Sequence, residues 1–321
     1  MYDVGFGDCF LLSIEYAGPL CDGRNTRSAL IDFGSFHKPR NPSFVEVAEL
    51  IAEHCGGKLD VIVASHRDRD HIAGFADREA FEVLRTLSPD LIVRPWTDDP
   101  RGGWSRDEDD SKLIKRGRKN SLSVAARASS NLLSLTARTE HVYLHAGEGS
   151  IISEHLPDAD VFVLGPPDGK AWNKGVPSIN NTSLILLFKV SCGEMSKYLL
   201  FPGDAEIGSW SHAFGKPKAV NLLEKVDLYK IGHHGSEGAT PSELVRIWRR
   251  DPERKRVGLL STQSGVYGRW GRGEIPSRRL LGLELRKLMR IVSIENYRGR
   301  RRFVELVAPI SSRSAFSIKS P

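Results

Sequence analysis

The chain has 321 residues, 40% of them hydrophobic and 27% charged, with a formal net charge of +6. That length buries a sizeable core, and the balance is that of an ordinary folded protein rather than a disordered, fibrous or disulfide-stapled one. No apolar run approaches the roughly 20 residues that a membrane span needs, so no span is expected.

In chain order, "CFLLSIEYA" and "RSALIDFGS" read as two strands joined by the turn-rich "GPLCDGRN". "NPSFVEVAELIAEHCGG" is a helix, with Ser43 at its N-cap and a glycine stop. "LDVIVAS" is a buried strand, "REAFEVLRTL" a helix and "DLIVRPW" another strand. A polar, aperiodic stretch at about 97–120 reads as a charged surface insertion. "SLSVAARASSNLLSLTAR" resumes a helix, and "HVYLHAGEGSIISEHLPDADVFVLGPP" reads as short strands with turns. "TSLILLFKV" and "KYLLFPGD" pair around Cys192–Gly193–Glu194, and "KVDLYKIGHHGS" is a strand that ends in a histidine pair. "TPSELVRIWRR" is a helix with Pro at its first position, "RVGLLST" a strand, "SRRLLGLELRKLMR" a helix and "RFVELVAP" a closing strand. Two β-rich halves, each followed by helices, predict two packed sheets with helices outside, in one domain over 1–321.

Cys9, Cys21, Cys55 and Cys192 are dispersed without a CxxC pair, which argues for reduced thiols and a cytoplasmic location. The opening "MYDVGFGDCFLLSI" has no basic leader, so no secretory signal is expected. Charge is uneven: residues 246–302 hold 17 Lys and Arg against 5 Asp and Glu, a local +12 that leaves the rest at −6. Such a region suits a phosphate-bearing partner, nucleic acid among the candidates, or else a solvated face.

The chemistry concentrates in four stretches. The first is His66-Arg67-Asp68-Arg69-Asp70-His71, behind a strand-like run. Residues 66, 68 and 70 alternate, so an extended turn projects them to one side, with His71 next. Imidazole nitrogens and carboxylate oxygens suit zinc, manganese or iron, and the oxygen-rich mix leans towards manganese. The others are "LLFPGDAE", "KIGHHGS" and "NNTSLILL", each weak when taken alone.

Together they resemble the metallo-β-lactamase superfamily of dinuclear metal hydrolases. That family's HxHxDH motif stands here as His66-x-Asp68-x-Asp70-His71. The HxDxDH variant resembles the branch that includes the hydrolase domain of the competence DNA-uptake protein and the phosphorylcholine esterases. "DVGFGDCFLL", "LIDFG", "NNTSL", "PGDAE" and "HHGS" also match, in order, from Asp3 to about Ser261. The resemblance implies a four-layer αββα sandwich and two divalent metal ions, zinc or manganese. It implies His66 and Asp68 on one ion, Asp70, His71 and His234 on the other, and Asp204 bridging. Asp32 would brace the metal loop through hydrogen bonds, and Asp8 would act similarly. Most members have a histidine where this chain has "NNTS", so Asn181 or Asn180 is expected as a weak oxygen ligand or water-positioning group, with His145 a distant candidate. The branch's "NxYGHP" stands here as "GVYGRWGRGEIPS". Tyr267, Arg269 and Arg272 are thus candidates for substrate contact, and Asp70, His233 and Arg269 for catalysis. The expected activity is metal-dependent hydrolysis, of a phosphodiester or nucleic acid first. The alternatives are a small ester, thioester or lactone, or a low-turnover metal- or nucleic-acid-binding partner.

Overall fold

The computed structural model describes the chain except residues 38, 40, 103–118, 136–137, 171, 173–177, 270–271, 298–301, 313 and 320–321, and the side chains of 119–122, 269 and 272. Most of the expected surface insertion therefore lies outside the described residues.

The first half builds a sheet in the order β1 (Cys9–Glu15), β2 (Thr26–Phe33), β3 (Val61–Val63), β4 (Leu91–Pro95), β5 (Glu140–Leu144). The β1–β2 pair is antiparallel and the rest parallel. Its connections carry α1 (Phe44–His54), α2 (Arg69–Ile72), α3 (Arg78–Thr86) and α4 (Lys119–Leu133). The α1 start is a reciprocal cap: Ser43 Oγ accepts from Glu46 N at 3.3 Å, and Glu46 Oε2 accepts from Ser43 N at 2.8 Å. After β5 comes α5 (Ser150–His155), a helix where only strands and turns were expected.

The second half gives β6 (Ala159–Gly165), β7 (Ile185–Cys192), β8 (Met195–Phe201), β9 (Leu228–Lys230) and β10 (Arg256–Leu260). Three helices lie within it, α6 (Ile207–Phe214), α7 (Pro217–Glu224) and α8 (Ser242–Trp248). A hairpin of β11 (Tyr267–Arg269) and β12 (Arg272–Ile275) follows, then β13 (Met289–Ser293). The sheet order is β13-β10-β9-β8-β7-β6. Pro241 caps α8 from one residue outside its first position. The segment expected as a long helix from 277 is a π-turn at Leu280–Glu284 and a 3₁₀ turn at Leu285–Lys287, then parallel strand β13. The expected closing strand shrinks to β14 (Leu306–Val307), paired with β15 (Ser317–Ile318), because Phe303 and Val304 run beside Tyr2 and Met1 instead.

Side-chain alternation explains the layering. Val61 and Val63 point one way and Ile62 the other, as strand geometry requires. The inward set meets Val161, Leu186, Phe188, Leu199, Phe201 and Leu259 of the second sheet in a shared core. The outward set packs under Val47, Ile51, Phe81, Leu84 and Leu132 of α1, α3 and α4. On the far side, Ile185, Leu187, Leu200 and Tyr229 lie under Trp210, Leu223, Leu244 and Trp248 of α6 to α8. The result is the four-layer αββα sandwich, with apolar area removed from water at all three interfaces. No helix among the described residues is long and apolar enough to cross a membrane.

Candidate metal centre

The candidate donors gather at one rim, where strands of both sheets end. Asp8 precedes β1, Asp32 lies near the end of β2, residues 66–71 follow β3, Asp204 follows β8 and His233–His234 follow β9. Strand ends are where a sheet hands its backbone to loops, and open α/β sheets place ligands there. The two sheets are stitched at this rim by Leu184 N donating to Ser65 O at 2.9 Å.

Asp32 organises the first sheet's side. Its Oδ1 accepts from Ser65 N at 2.7 Å, and its Oδ2 accepts from Ser65 Oγ at 2.7 Å. Oδ2 also lies 2.7 Å from His71 Nδ1. That contact turns His71 Nε2 towards Asp204 Oδ1, 3.1 Å away. Asp32 holds this position with a left-handed backbone (φ 58°), which Asp tolerates better than most residues. Gly34 follows because a Cβ there would stand 2.4 Å from the backbone N of His71. An imidazole braced by a carboxylate is a common preparation for metal ligation. Asp32→Ala is expected to weaken zinc affinity by about 10–100-fold, read by competition with a chromophoric chelator. Unchanged affinity would show that His71 needs no brace.

The second sheet supplies Asp204 and the histidine pair. The Asp204 turn is held by Ser183 Oγ, which accepts from Asp204 N at 3.2 Å, and by Trp210 Nε1, which donates to Ala205 O at 3.2 Å. His233 and His234 both sit in the left-handed region (φ 44° and 51°). Backbone strain of this kind, of order 1–3 kcal/mol per residue, is kept only where surrounding structure enforces it, most often at functional sites. His234 Nδ1 lies 2.9 Å from Ser261 O, and its Nε2 lies 3.1 Å from Asp70 Oδ2. His233 Nε2 is 3.6 Å from Asp204 Oδ2.

Lys230, at the end of β9, is a buried cation that motif reading passed over. Its Nζ lies 2.5 Å from Asp8 Oδ2 and 3.3 Å from Asp204 Oδ1, and donates to Gly203 O at 2.8 Å. Burial opposes its charge, but Asp8 and Asp204 outweigh that and raise its pKa. Burial also opposes the imidazolium of His234, yet Asp204, Asp8 and the contact with Asp70 push it up to about 10. His71 is likewise held well above its ordinary range by Asp204, Asp32 and Asp8 despite burial. His66 goes the other way: burial, then the neighbouring His71, keep it well below and therefore neutral. Burial would raise the carboxyls of Asp204 and Asp70, but His71 and His234 hold both below the usual range.

The donor set fits a divalent ion. One donor atom each from Asp70, His71, Asp204 and His234 lie within 4.8 Å of one another. His66 Nε2 is buried without a hydrogen-bond partner, and His71 Nε2 faces the Asp204 carboxylate at 3.1 Å. The two rings lie 4.1 Å apart, centroid to centroid. A buried polar atom left unpaired costs about 1–3 kcal/mol, and an ion accepting the lone pair of the neutral His66 would remove that cost. Nitrogen and oxygen donors in this proportion suit zinc or manganese.

Two mixed sheets face to face, helices on both outer faces, and histidine–aspartate loops at one rim define the architecture. The chain has the metallo-β-lactamase fold.

No family model matches the chain. Among curated proteins it is similar to ComE operon protein 3 of Bacillus subtilis (strain 168), 26% identical over 191 residues. Those residues are 59% of this chain and 19% of that protein, so the match spans about a fifth of the relative's length. Among solved structures it is similar to a diphosphatase from the PhnP family, at TM-score 0.38 and 12% identity, over 83% of this chain and 77% of that one. It is also similar to the metallo-β-lactamase fold protein YhfI from Bacillus subtilis, at TM-score 0.40 and 13% identity, over 91% and 95%.

Within this metallo-β-lactamase fold, several expected positions fall differently. Residues 66–71 are not one extended turn: α2 starts at Arg69, so Asp70 and His71 project from a helical turn. Asp68 stands at its N-cap, with Oδ2 3.9 Å from His66 Nε2. Asn181 faces away from the centre. Its Oδ1 accepts from Ser209 N at 3.3 Å, and its Nδ2 donates to Ser178 Oγ at 3.0 Å. The backbone N–H groups at the α6 start attract that oxygen. Asn180 instead reaches Glu206 Oε1 at 3.0 Å, with its Nδ2 3.4 Å from His233 Nδ1. His145 is engaged with Ala146 O and Glu148, at 3.1 and 3.2 Å. Asp8 joins the centre through Lys230, His71 and His234. Tyr267 stands near the rim, on β11. The side chains of Arg269 and Arg272 lie outside the described residues.

Proposed function

We propose that the chain is a metal-dependent hydrolase acting on phosphodiesters, with two divalent ions, zinc or manganese, held by His66, Asp68, Asp70, His71, Asp204 and His234. The observation that carries this reading is the convergence of donor atoms from Asp70, His71, Asp204 and His234 within 4.8 Å of one another, beside His66 Nε2, which is buried without a hydrogen-bond partner. When bound, such ions lower the pKa of a coordinated water and neutralise developing negative charge. Asp70, ionised and close to His234, is the carboxylate that would accept a proton from such a water. Asp32 and Ser65 hold the ligand loop in one geometry, and Lys230 keeps Asp204 charged and aimed inward. His233 has a side chain 20% exposed while that of His234 is fully covered, so His233 is the imidazole that can meet a substrate oxygen. Its ring is positioned by Asn180. The +12 of residues 246–302 favours an anionic substrate over a neutral ester or lactone.

One observation favours the partner-protein alternative. Asn181 spends its oxygen on Ser209, so the first ion has only His66, Asp68 and Asp204 among the described candidates. A weakly held first ion would slow turnover. The deciding experiment is hydrolysis of a chromogenic phosphodiester with manganese and with zinc, beside a nuclease gel. Metal-dependent turnover is expected. A chain that binds two ions yet cleaves neither phosphodiesters nor esters would support the partner-protein reading instead.

A further inference from the structure

We propose that Phe6, Phe36 and Tyr267 form a stacking platform for an unpaired nucleobase beside the histidine–aspartate centre, which makes the polymer it accepts single-stranded. This rests on the phosphodiester reading above and narrows its substrate class.

The three rings come from three distant segments: the loop before β1, the loop after β2, and β11. Phe6 lies against His234, with ring centroids 4.5 Å apart. Tyr267 lies 6.3 Å from Phe6 and nearly parallel to it, at 18°. Phe36 stands 6.3 Å from Phe6 and 6.4 Å from Tyr267, almost perpendicular to both. Phe6 is 3% exposed, whereas Phe36 and Tyr267 are 36% and 42% exposed. They are the two exposed large aromatics among the described residues, and they touch each other. Scattered apolar residues on a surface need no explanation; a contiguous pair seated on a buried ring that packs against a candidate ligand does.

The chemistry of the occupant follows from shape and charge. Exposed ring faces accept a planar π-system, and every base has one. A duplex keeps its bases stacked inside, so only an unpaired base is free to stack here. Aromatic faces also attract quaternary ammonium groups, but each of these rings contacts the next, and the flanking sequence is strongly basic. Ser277 N donates to Gly235 O at 2.9 Å, which sets the following Arg278 and Arg279 next to the histidine loop; both are exposed and pair with Glu274 and Glu237, at 3.5 and 3.4 Å. The +12 of residues 246–302 favours a polyanion over a cation.

The test measures binding by fluorescence anisotropy on the full chain in EDTA, so that no strand is cut. The probes are a labelled oligo-dT dodecamer, an abasic strand of equal length and the corresponding duplex. The wild type should prefer oligo-dT over both by about 5–100-fold, the range that base–aromatic stacking is worth. Joint Phe36→Ala and Tyr267→Ala substitution should erase that preference, while Tyr267→Phe should retain it with the same circular dichroism. Equal wild-type affinity for the dT and abasic strands overturns the platform. Displacement of oligo-dT by phosphocholine at stoichiometric levels overturns it in favour of a headgroup site. Because binding is read without turnover, an inert chain that still discriminates keeps the platform and loses only the hydrolase reading. A phosphodiesterase that binds the abasic strand equally well loses only the platform.

Discussion

Asp70→Asn should lower phosphodiester turnover by at least the 10²–10⁴-fold that loss of a general base is typically worth, about that range before any loss of metal. Asn keeps the size and an oxygen for His234 Nε2, now 3.1 Å from the carboxylate, but loses the charge and the basicity. The fold should survive, because the residue's structural contact is a backbone one: Asp70 O accepts from Asp8 N at 2.9 Å. Steady-state rates of wild type and variant with manganese, with circular dichroism as control, measure this. A variant that keeps the full wild-type rate removes Asp70 from the mechanism.

Lys230→Met should destabilise the metal-free protein by about 3–5 kcal/mol, the usual cost of breaking a buried ion pair by removing one partner. The substitution preserves the apolar stem of a side chain that is 1% exposed, and leaves Asp8 and Asp204 buried without their ammonium. The sign with pH follows from the shifts. The lysine's folded pKa is raised, so its contribution is whole below about 10.4, the ordinary lysine value, and fades only as pH rises through the folded value. The carboxyls of Asp8 and Asp204 are depressed, so theirs is present above the ordinary range of about 3.9 and fades as pH falls through the folded values. At pH 7 both are complete. Urea denaturation at pH 7 in EDTA should therefore show the full loss. Repeating it with zinc should recover part, since a bound ion also neutralises Asp204. An unchanged midpoint in EDTA would mean that the ammonium contributes nothing to the fold.

Much of the site was legible because its residues are close in sequence and follow recognisable strands. The unbroken apolar run in "LDVIVAS" predicts a strand buried on both sides, and the polar burst of 66–71 directly after it marks where that strand must release its chain. "LIDFG" and "PGDAE" were legible only through the family resemblance, since a lone aspartate in or after an apolar strand is weak evidence by itself. Lys230 carried a signal too. A lysine closing "VDLYK" as part of a strand whose every residue is buried needs an anionic partner, and two exist within 3.3 Å. Helix α5 was hidden because "SIISEH" is short and lacks a side-chain cap. The long helix expected over 277–290 is broken into a π-turn and a 3₁₀ turn, and its last two residues, Met289 and Arg290, are taken by the pairing of β13 with β10.

Sequence alone determined the strand and helix order over most of the chain and two packed sheets with helices outside, which depend on period, spacing and residue chemistry within a few positions; the wider histidine–aspartate set was legible only through the family resemblance. Tertiary structure alone decided which way each donor turns. Asn180 and Asn181 are neighbours of the same chemistry, yet one faces His233 and the other the start of α6. Phe6, Phe36 and Tyr267 share no motif and meet only because loops of both halves converge at one rim. The physical reason is the same in each case. Spacing constrains directions over one or two turns of chain, whereas the partner that orients a buried polar group or a ring is supplied by another strand end, and only the packing of the two sheets brings it there.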